Sequence, residues 1–344
     1  MWPANKKIRV MVVDDSILAR TMIANGLAKN PRIEVVGTGF NAADAEAKIQ
    51  QLRPDVMTCD VEMPGISGID FVKRLLPRHP LPVILVSSLN LRVFDALSAG
   101  AVDFVRKPEP GQNDVFLAGL AQKVIAAAGA KVRRAPANLS STPAASPLGH
   151  QPSLDNIIIG LGASTGGTEA TLEVLKRLPA DIPPMLLVQH MPTGFTQMYA
   201  DRLNRLCQME VREAKHGDEL RRGLALLAPA DYQMRIVRAG SRYTVSCTPD
   251  EKVSGHRPSV DALFFSMAEH VRCKMVGIIM TGMGRDGADG LLKMRQAGAY
   301  TIGQDKESCV VYGMPMVAQN IGAVQIQASC ENIAAVLLRQ LKTM

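Results

Sequence analysis

No stretch of the chain comes near the roughly 18 consecutive apolar residues that a membrane-spanning helix requires, so no insertion into a bilayer is expected. Aromatic residues make up only 4% of the sequence. That leaves few rings on which unpaired bases could stack, and nucleic acid is not expected as a ligand. The six cysteines (Cys59, Cys207, Cys247, Cys273, Cys309, Cys330) show neither C-x-x-C pairs nor the density of a disulfide scaffold. They read as reduced thiols, packed as small hydrophobes in a cytoplasmic protein. A secretory leader is not expected either. The apolar run Ile8-Arg9-Val10-Met11-Val12-Val13 stops at Asp14-Asp15, too early for a leader core, and no small-residue cleavage site follows.

What is present is an ordinary globular composition with a basic bias. Hydrophobic residues make up 47% and charged residues 21%, and 344 residues exceed one core of usual size, so two domains are expected. The net charge of +7 points to acidic partners without choosing among them.

Between residues 7 and 126, short apolar runs alternate with helical patterns five times. Strands are expected at 9–13, 34–38, 55–59, 83–86 and 103–105, and helices at 16–29, 42–52, 68–76, 93–99 and 115–127. This alternation predicts a doubly wound parallel sheet, whose working groups gather beyond the carboxyl ends of the strands. From 127 to 151 the pattern stops. That stretch is rich in Ala, Ser and Pro, carries Lys131, Arg133 and Arg134 with no acidic residue, and reads as a flexible basic linker. A second α/β pattern fills 152–344, with strands expected at 157–161, 185–188, 224–227 and 276–280 and helices at 168–177, 260–271 and 286–296.

Three carboxylates in the first half each follow a predicted strand: Asp14 and Asp15 the first, Asp60 the third. Such ends are neighbours in a parallel sheet, and three carboxylates are tolerable together when a hard cation such as Mg²⁺ shares their charge. Ser87 follows the fourth strand and Lys107 the fifth. A hydroxyl and an ammonium beside the carboxylates suit a phosphoryl group carried on Asp60. Any one of these residues alone reads as a helix cap or a solvated turn residue; five of them at four strand ends do not.

In the second half, Gly162-Ala163-Ser164-Thr165-Gly166-Gly167 follows an apolar run and opens a helical pattern, which satisfies G-x-S-x-G in strand–turn–helix context. The turn projects Ser164, and the N–H groups that follow face a developing oxyanion. A rival reading is a glycine-rich phosphate or dinucleotide loop, which Gly160-x-Gly162 begins. Thr165 stands at its third glycine position, however, and no acidic residue ends the next strand. A serine nucleophile needs a base and an orienting carboxylate. His190 ends the apolar run Met185-Leu186-Leu187-Val188-Gln189; His256 in Ser254-Gly255-His256-Arg257-Pro258 is its rival. Asp286 follows a strand through Thr281-Gly282-Met283-Gly284-Arg285, and alone it reads first as the N-cap of the next helix. Asp289 is a weaker candidate. The order Ser, His, Asp differs from that of α/β-hydrolases, so a triad here implies another fold with convergent geometry.

These motifs carry two resemblances. Val12-Val13-Asp14-Asp15-Ser16, Asp60-Val61-Glu62-Met63-Pro64-Gly65, Val86-Ser87 and Lys107-Pro108 resemble the response-regulator receiver family over residues 8–126. Ser67 stands where that family usually has Asp, at a turn-shaping position. The resemblance implies a flavodoxin-like fold, Asp60 as phosphoacceptor, and Mg²⁺ held by Asp14, Asp15, Asp60 and the Glu62 carbonyl. It also implies Ser87 and Lys107 as a switch pair, with Phe104 reorienting alongside. The Ser164 loop, Gln189-His190-Met191-Pro192, Arg257-Pro258-Ser259-Val260-Asp261 and Thr281-Gly282-Met283-Gly284-Arg285-Asp286-Gly287 resemble the CheB family of chemotaxis protein-glutamate methylesterases over 152–344. That implies a Rossmann-like three-layer α/β/α domain with Ser164 as nucleophile, His190 as base, Asp286 as orienter and the Thr165 and Met283 amides at the oxyanion. It further implies glutamine deamidase activity, chemoreceptor substrates, a chemotaxis histidine kinase as phosphodonor, no cofactor for the ester chemistry, and a monomeric, cytoplasmic protein.

Overall fold

The computed structural model describes residues 2–3, 5–88, 92–131, 146–149, 152–240 and 242–344, and the chain divides into two compact units, 1–138 and 139–344. No described helix is long and apolar enough to cross a membrane.

Unit 1 runs β1 (Ile8–Val13), α1 (Ile17–Ala28), β2 (Ile33–Gly39), α2 (Ala42–Leu52), β3 (Val56–Asp60), α3 (Gly68–Leu75), β4 (Val83–Ser87), α4 (Val93–Ser98), β5 (Asp103–Arg106) and α5 (Asn113–Ala128). All five strands are parallel, in the order β2-β1-β3-β4-β5. β3 and β4 are buried along their whole length, as strands covered on both faces must be. The order reverses between β1 and β3, so their carboxyl ends flank a topological switch point. Local chemistry sets the helix starts: the side chains of Ser16, Asn41 and Ser67 accept N–H bonds from Ala19, Asp44 and Asp70. Ser67 is therefore the N-cap of α3.

Of the expected linker, residues 132–145, 150 and 151 lie outside the described residues. At its far end, Leu148 and Gly149 each donate a backbone N–H to the Asp181 carboxylate at 2.9 Å.

A 3₁₀ turn at Pro152–Asn156 leads into β6 (Ile157–Ala163), α6 (Gly167–Leu175), β7 (Met185–Gln189), α7 (Phe195–Leu206), β8 (Glu210–Glu213), β9 (Leu224–Leu227), β10 (Gln233–Ala239) and β11 (Arg242–Thr248). The chain continues with α8 (Val260–His270), β12 (Lys274–Ile279), α9 (Ala288–Gln296), β13 (Tyr300–Gln304), α10 (Met314–Asn320), β14 (Ile326–Ala328) and α11 (Cys330–Leu341). Seven parallel strands run in the order β14-β13-β12-β6-β7-β9-β8. The expected α/β architecture of parallel sheets is present in both units. An antiparallel hairpin, β10–β11, was not anticipated; it packs on α8, where Ser266 Oγ accepts the Ile236 N–H at 3.0 Å.

From the central strand β6 the chain builds first toward β7 and later toward β12, which makes the carboxyl end of β6 the switch point of this sheet. β6 is apolar and wholly buried. Its register places Ala163 opposite Gln189 and Gly162 opposite Ile279, so the residues that leave β6, β7 and β12 emerge side by side. The helix expected from 286 begins instead at Ala288, with Gly287 as its N-cap at φ 87°. That frees the Asp286 side chain from capping its own helix.

Candidate active site

In unit 1 the carboxyl ends of β1 and β3 bring Asp14 and Asp60 together, both buried, with Asp15 exposed beside them. One oxygen from each of the three lies within 4.8 Å of the others. Burial, and then the Asp60 charge, push the Asp14 carboxyl up to about 6. Burial also raises Asp60, against the opposing hydrogen bond from Lys107. Lys107 Nζ stands 2.7 Å from Asp60 Oδ2. Burial alone would lower the pKa of that ammonium, but the Asp60 contact holds it above the usual value. Asp14 Oδ2 and Ser87 Oγ are buried without a hydrogen-bond partner among the described residues. Crowded carboxylates with an unused oxygen fit a hard divalent cation, whose charge would bring their pKa values back down. Glu62 donates its N–H to Asp60 Oδ1 at 3.1 Å, and its exposed carboxylate accepts from Ser88 Oγ at 3.0 Å. Phe104 is buried edge-on to Phe94, with ring centroids 6.2 Å apart.

In unit 2, Ser164 leaves β6, His190 leaves β7, and Asp286 ends the loop after β12. His190 Nδ1 lies 3.0 Å from Ser164 Oγ, and its Nε2 lies 2.7 Å from Asp286 Oδ2. Asp286 is an acceptor only, so Nε2 carries the proton and Nδ1 is the free base that faces the serine. Burial alone would raise the Asp286 pKa. Hydrogen bonds from His190, the Asp261 N–H and Ser259 Oγ hold it below the ordinary carboxylate range. Together with the Val260 N–H, Asp286 has four donors around its two oxygens. It thus sits on the start of α8, a segment that precedes it by 26 residues.

The rivals resolve on geometry. The His256 ring lies flat on His190, with centroids 3.9 Å apart and planes 9° apart, and does not replace it. Asp289 is turned to solvent and paired with Arg285 at 2.7 Å. Thr165 is buried, and its carbonyl accepts from Thr281 Oγ1 at 3.0 Å. Met283 is 39% exposed, and its N–H has no acceptor among the described residues, as a waiting oxyanion donor requires. A Cβ at Gly282 would fall 2.7 Å from Ser164 Cβ, so this glycine is what lets the β12 loop close on Ser164.

Residues 159–337 match the family described as CheB methylesterase, and residues 10–116 match the response regulator receiver domain. A curated relative from Syntrophomonas wolfei subsp. wolfei, named protein-glutamate methylesterase/protein-glutamine glutaminase 2, is 48% identical over 97% of this chain and 98% of its own. The chain belongs to the CheB methylesterase family. A protein-glutamate methylesterase/protein-glutamine glutaminase from Syntrophotalea carbinolica is 45% identical, covering 96% of each chain. The crystal structure of the Thermotoga maritima CheB methylesterase catalytic domain matches with a TM-score of 0.52 at 33% identity, over 53% of this chain and 97% of that one. The expected membership in a receiver-plus-CheB architecture is met.

Within the CheB-type unit, three contributors went unnoticed in the sequence. Gln189 Nε2 donates to the carbonyls of Ser164 at 2.8 Å and His190 at 3.2 Å, tying the two loops together. Thr281 Oγ1 donates toward Thr165 O and accepts from the Val311 N–H. Ser259 Oγ reaches Asp286. Gln189 was legible as the residue before His190; the other two depend on loops that approach from elsewhere in the chain. A cavity of about 550 Å³ near Arg272, Cys273, Lys274 and Met275 lies at the amino ends of β12 and β6, away from this chemistry.

Proposed function

We propose that this protein is a phosphorylation-controlled serine esterase that removes methyl groups from glutamyl esters on chemoreceptors. The observation that carries the reading is His190 bridging Ser164 and Asp286 with two hydrogen bonds. Ser164 Oγ attacks the γ-carbonyl carbon of a glutamyl methyl ester while His190 Nδ1 takes the hydroxyl proton. The carbonyl oxygen becomes an oxyanion facing the Met283 and Thr165 amides, and one such donor is worth about 3 kcal/mol of barrier. Collapse expels methoxide, which receives the proton from His190 and leaves as methanol. Water, deprotonated by the same nitrogen, then cleaves the acyl-serine to give glutamate and restore Ser164. A glutamine side chain passes through the same acyl-enzyme with ammonia as leaving group, which gives the deamidase activity. Asp286 keeps the proton on Nε2 and offsets the positive charge that develops on the ring.

Asp60 is the phosphoacceptor in this reading, with a chemotaxis histidine kinase as donor. Asp14, Asp15, Asp60 and the Glu62 carbonyl would hold Mg²⁺, which when bound neutralises the phosphoryl oxygens. Lys107 lies within hydrogen-bond reach of the same carboxylate. Ser87 supplies a buried hydroxyl without a partner among the described residues, available to a phosphoryl oxygen, with Phe104 reorienting as it engages. The domains read as a receiver at 8–126, a linker at 127–151 and a catalytic domain at 152–344, in a monomeric cytoplasmic protein. The test is methanol and ammonia release from methylated and amidated receptor segments, with and without a small phosphodonor. Release that rises with donor and Mg²⁺ supports the proposal; release of neither product removes it.

A further inference from the structure

We propose that Ser259 is a positioning residue for the Ser164 chemistry, its hydroxyl fixing one oxygen of Asp286 so that the other faces His190. The inference rests on the esterase reading above and extends it to a residue that touches neither substrate nor nucleophile. Ser259 is fully buried, and its Oγ lies 2.7 Å from Asp286 Oδ1. The same oxygen accepts the Ala262 N–H at 3.2 Å as the N-cap of α8. A serine hydroxyl carries one proton. With Ala262 already donating to it and an ionised carboxylate able only to accept, that proton points at Asp286.

The backbone of Ser259 is itself held. Its N–H donates to Gln233 Oε1 at 2.9 Å, and the Gln233 amide donates in turn to the carbonyls of His256 at 2.9 Å and Glu251 at 3.1 Å. Gln233 is fully buried at the start of β10. A continuous path therefore runs from the hairpin through Gln233 and Ser259 to Asp286 and His190, and the unexpected hairpin acquires a role in the site. Ser259 does two things at once. It starts α8, and so aims the Val260 and Asp261 N–H groups at Asp286 at 2.8 and 3.0 Å. It also withdraws charge from Asp286, which tempers how strongly that carboxylate holds the imidazolium.

The titratable neighbours leave this role to Ser259. Asp261 is occupied by the Gly290 N–H at 2.7 Å and Ser254 Oγ at 2.6 Å. Burial, and with it the Asp286 charge, raises its pKa. His256 stacks on the face of His190, and Arg285 is committed to Asp289.

The experiment uses the full chain and a receptor segment carrying a glutamyl methyl ester. Ser259→Ala removes hydroxyl and cap together. Ser259→Gly removes the hydroxyl and keeps most of the cap, since glycine is nearly as well tolerated as serine at an N-cap. Both variants are expected to lose roughly 10- to 100-fold in kcat with little change in KM, as for a lost hydrogen bond to a charged group. The acid limb of kcat/KM is expected to move to higher pH, because Asp286 without that hydrogen bond turns more of its negative charge toward the ring. Ser259→Thr, which retains a hydroxyl, should restore both readouts. If Ala and Gly variants keep kcat within about twofold and leave the acid limb in place, the inference is overturned. A loss of rate that merely tracks melting temperature, with no movement of the limb, overturns it as well. Ser164→Ala is run alongside: if it stays active, the esterase reading has failed rather than this extension of it.

Discussion

Gly282→Ala is the sharpest perturbation that leaves every polar group of the site in place. The added methyl would sit 2.7 Å from Ser164 Cβ, 3.2 Å from Ser164 N and 2.3 Å from Met314 Sδ. The methionine is flexible and can swing aside. The serine cannot do so cheaply, because its N–H is bonded to Thr281 O at 3.0 Å and its carbonyl accepts from Gly167 N and Gln189 Nε2. Reaching the roughly 3.4 Å of ordinary contact moves Ser164 by somewhat under an ångström. A displacement of about 1 Å in a catalytic group costs on the order of 100-fold in rate, and overpacking costs about 1–3 kcal/mol of stability. Gly277→Ala is the matched control. It lies within β12, ahead of the loop that carries Gly282, and would meet Leu291 Cδ1 at 2.5 Å, in the core and away from Ser164. Methanol release from a methylated receptor segment reads the rate, and thermal melting reads the stability. Both variants should melt earlier, but only Gly282→Ala should lose about two orders of magnitude in kcat. A folded Gly282→Ala variant within threefold of the parent would refute the reasoning.

Asp286→Asn should lower kcat by about 10²- to 10⁴-fold by favouring the wrong tautomer of His190, read as methanol release at saturating ester. It should also flatten the acid side of the stability curve. The Asp286 pKa is depressed in the folded state, so its contribution is complete above about pH 4 and is lost as pH falls through the folded value. Acid titration of both proteins followed by circular dichroism checks this. His256→Ala removes a ring stacked at 3.9 Å on His190 and should cost about threefold to tenfold in kcat, the worth of one aromatic contact. Asp60→Asn should abolish any rise in methanol release on adding a small phosphodonor with Mg²⁺, checked by paired assays with and without donor.

Particular residues show how much of this was legible. Asp14, Asp60, Ser164 and His190 could be placed because each is among the first polar residues after an apolar run that only a buried strand explains. Parallel strands then bring such ends to one edge whatever their separation in sequence. Asp286 was ambiguous because a carboxylate before a helix ordinarily caps it. Gly287 takes that position here, and the start of α8 satisfies Asp286 from the other side. No local pattern predicts that, since the partner segment lies 26 residues upstream. His256 stood as the rival to His190 because a loop histidine has no periodicity to fix its orientation; the fold lays its ring on His190. The β10–β11 hairpin escaped for a related reason. Its strands are half-buried and interleaved with Arg235, Arg238 and Arg242, so they lack the continuous apolar runs that marked the others.

The most direct test of the central claim is the rate of methanol release from a methylated receptor segment by the parent protein and by Ser164→Ala, with intact-mass detection of any acyl adduct. The account predicts an adduct on the Ser164 peptide of the parent, and release by Ser164→Ala that falls to the uncatalysed background. Equal release by the two proteins, with no adduct at Ser164, would contradict it.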